Sequence, residues 1–122
     1  MSGPAVELLQ PANPEDWEAA REILREYAGT LNVDLCFQQF DRELAELPQE
    51  YAAPGGLLLL ALVDGAVAGS GAFRPLPDSD YPDACEMKRL YVRPAFRRFG
   101  LGRLIAEALL DRATEAGYST ML

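Results

Sequence analysis

The sequence predicts a mixed α/β domain, a central twisted sheet flanked by helices, on three observations. LLLLALV at 57–63 is an apolar run of strand length, set between Pro54-Gly55-Gly56 and Asp64-Gly65. AVAGSGAF at 66–73 follows that two-residue turn directly and reads as the partner strand of a hairpin. A further strand over 85–92 then gives way to a helix with an apolar stripe at Leu101, Leu104, Ile105, Ala108 and Leu109. With 122 residues, one domain over 1–122 with one core is expected.

The remaining elements follow in order. Val6 to Leu9 is a short first strand. Asn13 can cap a helix with Pro14 at its first position and Glu15 and Asp16 in its first turn, and Trp17, Ala20, Leu24, Tyr27 and Leu31 recur at helical spacing. Phe37, Phe40, Leu44 and Leu47 share one face of a second helix, which Pro48 is expected to end. The small residues of 66–73 suggest close packing against that strand. Pro75 to Asp83 is a loop, and Arg93-Pro94 starts the turn after the strand at 85–92. Gly117 stops the last helix, and Tyr118 to Leu122 begin a further strand.

Composition narrows the chemistry. A net charge of −8 argues against a nucleic-acid partner. No apolar run approaches the length that spans a bilayer, and MSGPAVELLQ has neither the basic start nor the apolar core of a signal peptide, so a cytoplasmic location is expected and no membrane partner. Cys36 and Cys85 are far apart, fit no metal spacing, and read as reduced and buried. With no histidine, acid–base chemistry falls to carboxylates, tyrosines, lysine or backbone, and no metal is expected.

The charge is uneven. Residues 1–50 hold eleven acids against three arginines, whereas Lys88, Arg89, Arg93, Arg97, Arg98 and Arg103 fall in a stretch without a single acid. Within it, Gly100 and Gly102 stand at the start of the last helix. The first helical turn leaves backbone N–H groups unpaired at the positive end of the dipole, and glycine lets a ligand approach them. A pyrophosphate cradle on a strand–turn–helix unit is one reading; glycines serving only the turn, with solvated arginines, is the other. Neither common nucleotide motif fits: a dinucleotide fingerprint needs a glycine where Ile105 stands, and no G-K-[ST] occurs.

Arg97-Arg98-Phe99-Gly100-Leu101-Gly102 resembles the R/Q-x-x-G-x-G/A motif of the GNAT superfamily of N-acetyltransferases. EMKRLYVRP resembles that family's fourth strand, and VDGAVAGSGAF its second and third strands. The resemblance covers essentially the whole chain. It implies acetyl-CoA as co-substrate and transfer of an acetyl group to a primary amine by direct attack. It implies that backbone N–H groups of Arg97, Arg98, Phe99, Gly100, Leu101, Gly102 and Arg103 hold the pyrophosphate. It implies a fourth strand that bulges and splays from the fifth, leaving some backbone unpaired; the N–H of Leu90 would then bond the thioester carbonyl, and Leu90, Tyr91 and Val92 would pair with the pantetheine arm. Glu86 would be the catalytic base, directly or through water; the competing reading pairs Glu86 with Lys88 or a nearby arginine. Tyr27, Asp34 and Phe37 fall in the segment that contacts the acceptor. That acceptor is a small molecule or a peptide amine, and a homodimer is compatible with the family.

The family continues past its fifth strand to a helix and further strands that supply a cleft wall and a tyrosine acid, and these 122 residues contain neither. The expectation is the N-terminal, acetyl-CoA-binding portion of such an enzyme, inactive or impaired as it stands. The alternatives are a non-catalytic acyl-CoA-binding module and a fragment active only with its missing half.

Overall fold

A computed structural model describes residues 5–30, 37–52, 55–77 and 80–122, except the side chains of 37–39. Its centre is a five-stranded sheet in the order β1-β2-β3-β4-β5, formed by Val6–Leu9, Leu57–Val63, Ala66–Pro75, Ala84–Val92 and Thr120–Met121. The first four strands form an antiparallel meander, and β5 pairs parallel to β4. The connection to β5 runs through a 3-10 helix at Pro94–Phe99 and a long helix, α4 (Leu101–Glu115). On the opposite face lie α1 (Pro14–Thr30), α2 (Phe37–Ala45) and the short α3 (Leu47–Glu50). The mixed α/β sheet flanked by helices is therefore the architecture that the sequence predicts.

Local chemistry sets these elements. The Asn13 side chain accepts the Asp16 N–H at 2.8 Å, capping α1 as its sequence requires. Asp64 and Gly65 both have positive φ, 50° and 85°, which gives the turn the twist that a hairpin needs. α4 ends at Gly117, whose φ of 99° lets Tyr118 N–H donate to the Ala113 carbonyl at 3.1 Å.

β2 is covered on both sides, which is why it reads as an unbroken apolar run. Leu58 and Leu60 join Ile23, Leu24, Leu44, Leu47 and Ala72 in the core beneath α1–α3. Leu57, Leu59, Ala61 and Val63 join Phe73, Cys85, Leu101, Ile105 and Leu109 beneath α4. The close packing expected at 66–73 is real. A Cβ built on Gly71 would lie 2.5 Å from Ile105 Cγ2 and 3.0 Å from Leu109 Cδ1, so α4 rests on bare backbone there. Fully burying a leucine or isoleucine contributes about 1.5–3 kcal/mol, so these two cores carry the fold.

Two expectations need correction. Pro48 does not end α2: that helix stops at Ala45, and Pro48 sits in the first turn of α3, where its missing N–H has no intrahelical partner to lose. Leu104 is not part of the buried stripe of α4. It is 39% exposed, and the buried line runs through Leu101, Ile105, Leu109 and Ala113, four residues apart. Among the described residues, no helix is long and apolar enough to cross a membrane.

Candidate active site

The site grows from an irregularity in β4. Met87 N–H donates to the Leu122 carbonyl beside β5, while Arg93 N–H donates to the Ala68 carbonyl beside β3. These two residues are six apart, and in a regular strand they would point to the same edge. One residue in between must flip the alternation. It is Arg89, with φ at 60°, where the β3–β4 register slips between Ser70 and Ala72. Beyond this bulge, the Leu90 and Val92 N–H groups turn to the β5 side. The described β5 pairs with β4 at Ala84 and Cys85, and Leu90, Tyr91 and Val92 lie beyond that pairing.

A left-handed residue without glycine needs support. The Arg89 carbonyl accepts Ser70 Oγ–H at 3.0 Å, and Ser70 is fully buried. Its guanidinium grips the Glu43 carboxylate with both arms, Nε at 2.9 Å and Nη2 at 2.8 Å, and lies 5.1 Å above the Phe40 ring. Tyr51 O–H donates to the same carboxylate at 2.9 Å. Burial pushes the Glu43 carboxyl up, but the Arg89 fork, the Tyr51 hydroxyl and the Lys88 ammonium outweigh it and hold Glu43 below the usual carboxylate range. Burial first, then the neighbouring Glu43 charge, pushes the Tyr51 phenol up, and the Glu43 bond raises Arg89.

Glu86 and Lys88 lie on the same side of β4, Oε1 to Nζ 3.8 Å, with the Glu43 carboxylate 4.0 Å from that ammonium on its other side. Burial, with Arg89 and Arg74 nearby, lowers the Lys88 pKa. Tyr91 is buried; its hydroxyl donates to Glu26 at 2.8 Å, and its ring meets Tyr27 at 5.7 Å. Tyr27 thus stands beside β4. Asp34 and Cys36 lie outside the described residues, as does the side chain of Phe37 at the start of α2. Cys85 is free and fully buried beneath α4, where burial raises its thiol pKa; it is no candidate nucleophile.

Val92 leads through the 3-10 helix to the start of α4. Gly100 has φ at 69° and no side chain caps α4 there, so the N–H groups of its first turn have no side-chain partner. A Cβ at Gly100 would meet nothing within 4 Å, and one at Gly102 only Val92 Cγ2 at 3.9 Å. The approach to these N–H groups is open, and the residues present fit an anion at the helix end. The basic side chains are arranged differently from the anion cluster that the sequence suggests. Lys88 and Arg89 face Glu43, Arg93 pairs with Glu26 at 3.2 Å, and Arg103 pairs with Glu107 at 2.8 Å. Arg97 Nε donates to the Val92 carbonyl, and Arg98 lies over Phe99. The anion-holding capacity is therefore mostly backbone.

Sequence reading misses Glu43, Tyr51, Ser70 and Glu26. One signal was present: Glu43 occupies a stripe position between Phe40 and Leu47, and a lone acid on an apolar helix face calls for a buried cation.

The acetyltransferase (GNAT) family matches residues 7–122. An uncharacterized N-acetyltransferase of Schizosaccharomyces pombe is 36% identical over 94% of this chain and 74% of its own length. Another from Escherichia coli is 33% identical over 87% of this chain, which spans only 62% of that relative. Among solved structures, an aminoglycoside N-acetyltransferase in complex with CoA superposes with a TM-score of 0.72 at 21% identity, over 98% of this chain and 76% of that one. A bulged fourth strand and an uncapped glycine-rich helix start thus occur in a chain whose matched span is nearly complete, and the chain belongs to the GNAT acetyltransferase family.

Proposed function

We propose that this chain carries the acetyl-CoA site of an N-acetyltransferase that moves an acetyl group to a primary amine by direct attack. The observation that carries the reading is the flipped alternation at Arg89, which turns the Leu90 and Val92 N–H groups to the β5 side of β4, on the strand that leads to the uncapped start of α4. In this reading the N–H groups of Arg97 to Arg103 hold the pyrophosphate, and the edge of β4 at Leu90, Tyr91 and Val92 pairs with the pantetheine arm. Acetyl-CoA supplies an acyl group activated as a thioester. The Leu90 N–H stabilises negative charge developing on the carbonyl oxygen. A carbon–nitrogen bond forms as the carbon–sulfur bond breaks and CoA leaves as its thiolate, and the amine's proton passes to Glu86, directly or through water. Tyr27, Asp34 and Phe37 belong to the acceptor side.

The proximity of Lys88 to Glu86 favours a second reading, in which Glu86 is a structural partner and the fold binds acyl-CoA without turnover. Calorimetric titration with acetyl-CoA, followed by thiol-release assays across small amines and peptide N-termini, tests the proposal. Saturable binding with amine-dependent thiol release supports transfer, and binding without release with any amine keeps the acetyl-CoA site but removes transfer by these 122 residues alone, as the module or a fragment would. No binding at millimolar acetyl-CoA refutes both. In an active protein, Glu86→Gln should lower kcat and remove the acidic limb of its pH profile; an unchanged profile removes Glu86 as base.

A further inference from the structure

We infer that Glu43 and Ser70 are positioning residues: through Arg89 they hold the bulge that aims the Leu90 N–H, and so link the acceptor-side helix α2 to the strand that handles the acyl group. This rests on the proposed acyl transfer for its catalytic consequence, but not for its structural content. Arg89 adopts a φ of 60° that an arginine does not favour. Three contacts hold it there from two elements. Ser70 on β3 takes its carbonyl at 3.0 Å, Glu43 on α2 takes both arms of its guanidinium at 2.9 and 2.8 Å, and Phe40 lies beneath. Glu43 and Arg89 are 8% and 12% exposed at their side chains, so little water competes for the pair. Tyr51, next to α3, donates its hydroxyl to the same carboxylate and fixes it from behind.

The geometry allows two states. With Arg89 left-handed, the Leu90 and Val92 amides point to the β5 side of β4. With Arg89 relaxed to an extended conformation, the alternation reverts and those amides turn toward β3. Glu43 thus sits on the acceptor side and biases a backbone switch on the acyl side, without touching either reacting group. Movement of α2 when an acceptor binds would be felt at Leu90 through this pair.

Hydrogen exchange by NMR on the full chain tests the latch without any acceptor. The Arg93 amide, which donates to Ala68 at 2.8 Å just past the bulge, is one reporter; the Leu90 amide resonance is the other. In Glu43→Gln, Arg93 exchange should rise about tenfold more than exchange of the β2 core amides, the scale of one charged hydrogen bond, and the Leu90 resonance should move. Ser70→Ala, the milder change, should act in the same direction and covers the case in which Glu43→Gln fails to fold. Glu50→Gln, which removes the Arg74 partner on the same face, should leave both reporters in place. Equal acceleration at all amides, or none at Arg93, overturns the inference and leaves Glu43 as a stabilising ion pair only. In a catalytically active preparation the latch further requires kcat to fall about tenfold in Glu43→Gln, with the KM for acetyl-CoA within about twofold. A wild-type protein that neither binds acetyl-CoA nor transfers an acetyl group defeats the proposed function, while the exchange data still decide the latch.

Discussion

Gly102→Glu should separate stability from ligand binding, pushing them in opposite directions. Gly102 is the second residue of α4, its φ is not left-handed, and a Cβ there meets only the Val92 methyl at 3.9 Å. Replacing this half-buried helical glycine by glutamate gains about 0.5 kcal/mol in helix propensity. A carboxylate in the first turn gains about 0.5 kcal/mol more from the helix dipole. Together these raise the melting temperature by about 4 °C for a domain of this size. The same carboxylate stands in the path of a pyrophosphate. At about 5 Å and an effective dielectric of 20, each like-charge pair costs about 3 kcal/mol. Rotation of the side chain and salt screening reduce this, leaving acetyl-CoA binding about a hundredfold weaker. Scanning fluorimetry and calorimetry on the same samples provide the two readings. Unchanged affinity in a protein with a raised melting temperature would refute the cradle at α4. A melting temperature several degrees lower would refute the placement of Gly102 in open space.

Three further outcomes follow from the packing and the charges. Gly71→Ala should destabilise by about 1–3 kcal/mol, read as a lower urea midpoint, since its methyl would meet Ile105 at 2.5 Å; an unchanged midpoint would mean that α4 stands further off. Glu43 has a folded-state pKa below its ordinary 4.5, so it contributes stability that is present above that value and lost as the pH falls through the folded value. Glu43→Gln should therefore cost about 1–3 kcal/mol at pH 7 and flatten the acid limb of stability below about pH 4.5, and urea midpoints across pH 3–7 that run parallel to the parent would contradict this. Lys88 is the only lysine of the chain, so its side-chain NMR signal can be followed alone; it should titrate below the ordinary 10.5, and a value at or above 10.5 would show that its ammonium is neither buried nor crowded by Arg89 and Arg74.

What the sequence made legible was local. The hairpin at Asp64-Gly65 could be read because both its turn residues favour positive φ and both flanking runs are apolar. The open start of α4 could be read because Gly100 and Gly102 mark it. The family resemblance implied a bulge in the fourth strand, but its seat at Arg89 could not be read, because left-handed positions are normally flagged by glycine and this one is an arginine held by distant partners. Its chief partner, Glu43, is 46 residues away, and no periodicity connects the two. The same distance misleads the charge reading. Lys88, Arg89 and Arg93 look like a free basic cluster until Glu26 and Glu43 arrive from the other face of the fold. Pro48 reads as a stop because proline breaks helix interiors, yet one residue later in a new first turn it is harmless.

The contact between Gly71 and Ile105 makes α4 a lever with a fixed fulcrum. Leu101 stands four residues before Ile105 and Ala113 eight after it, about 6 and 12 Å along the axis. A 1 Å shift at the Ala113 end therefore swings the glycine-rich end by about 0.5 Å the other way. On this geometry, side chains far from the glycine-rich end help to fix where the first-turn N–H groups lie. Substitutions at Leu109 or Ala113 would be felt at the far end of the helix as a change in aim.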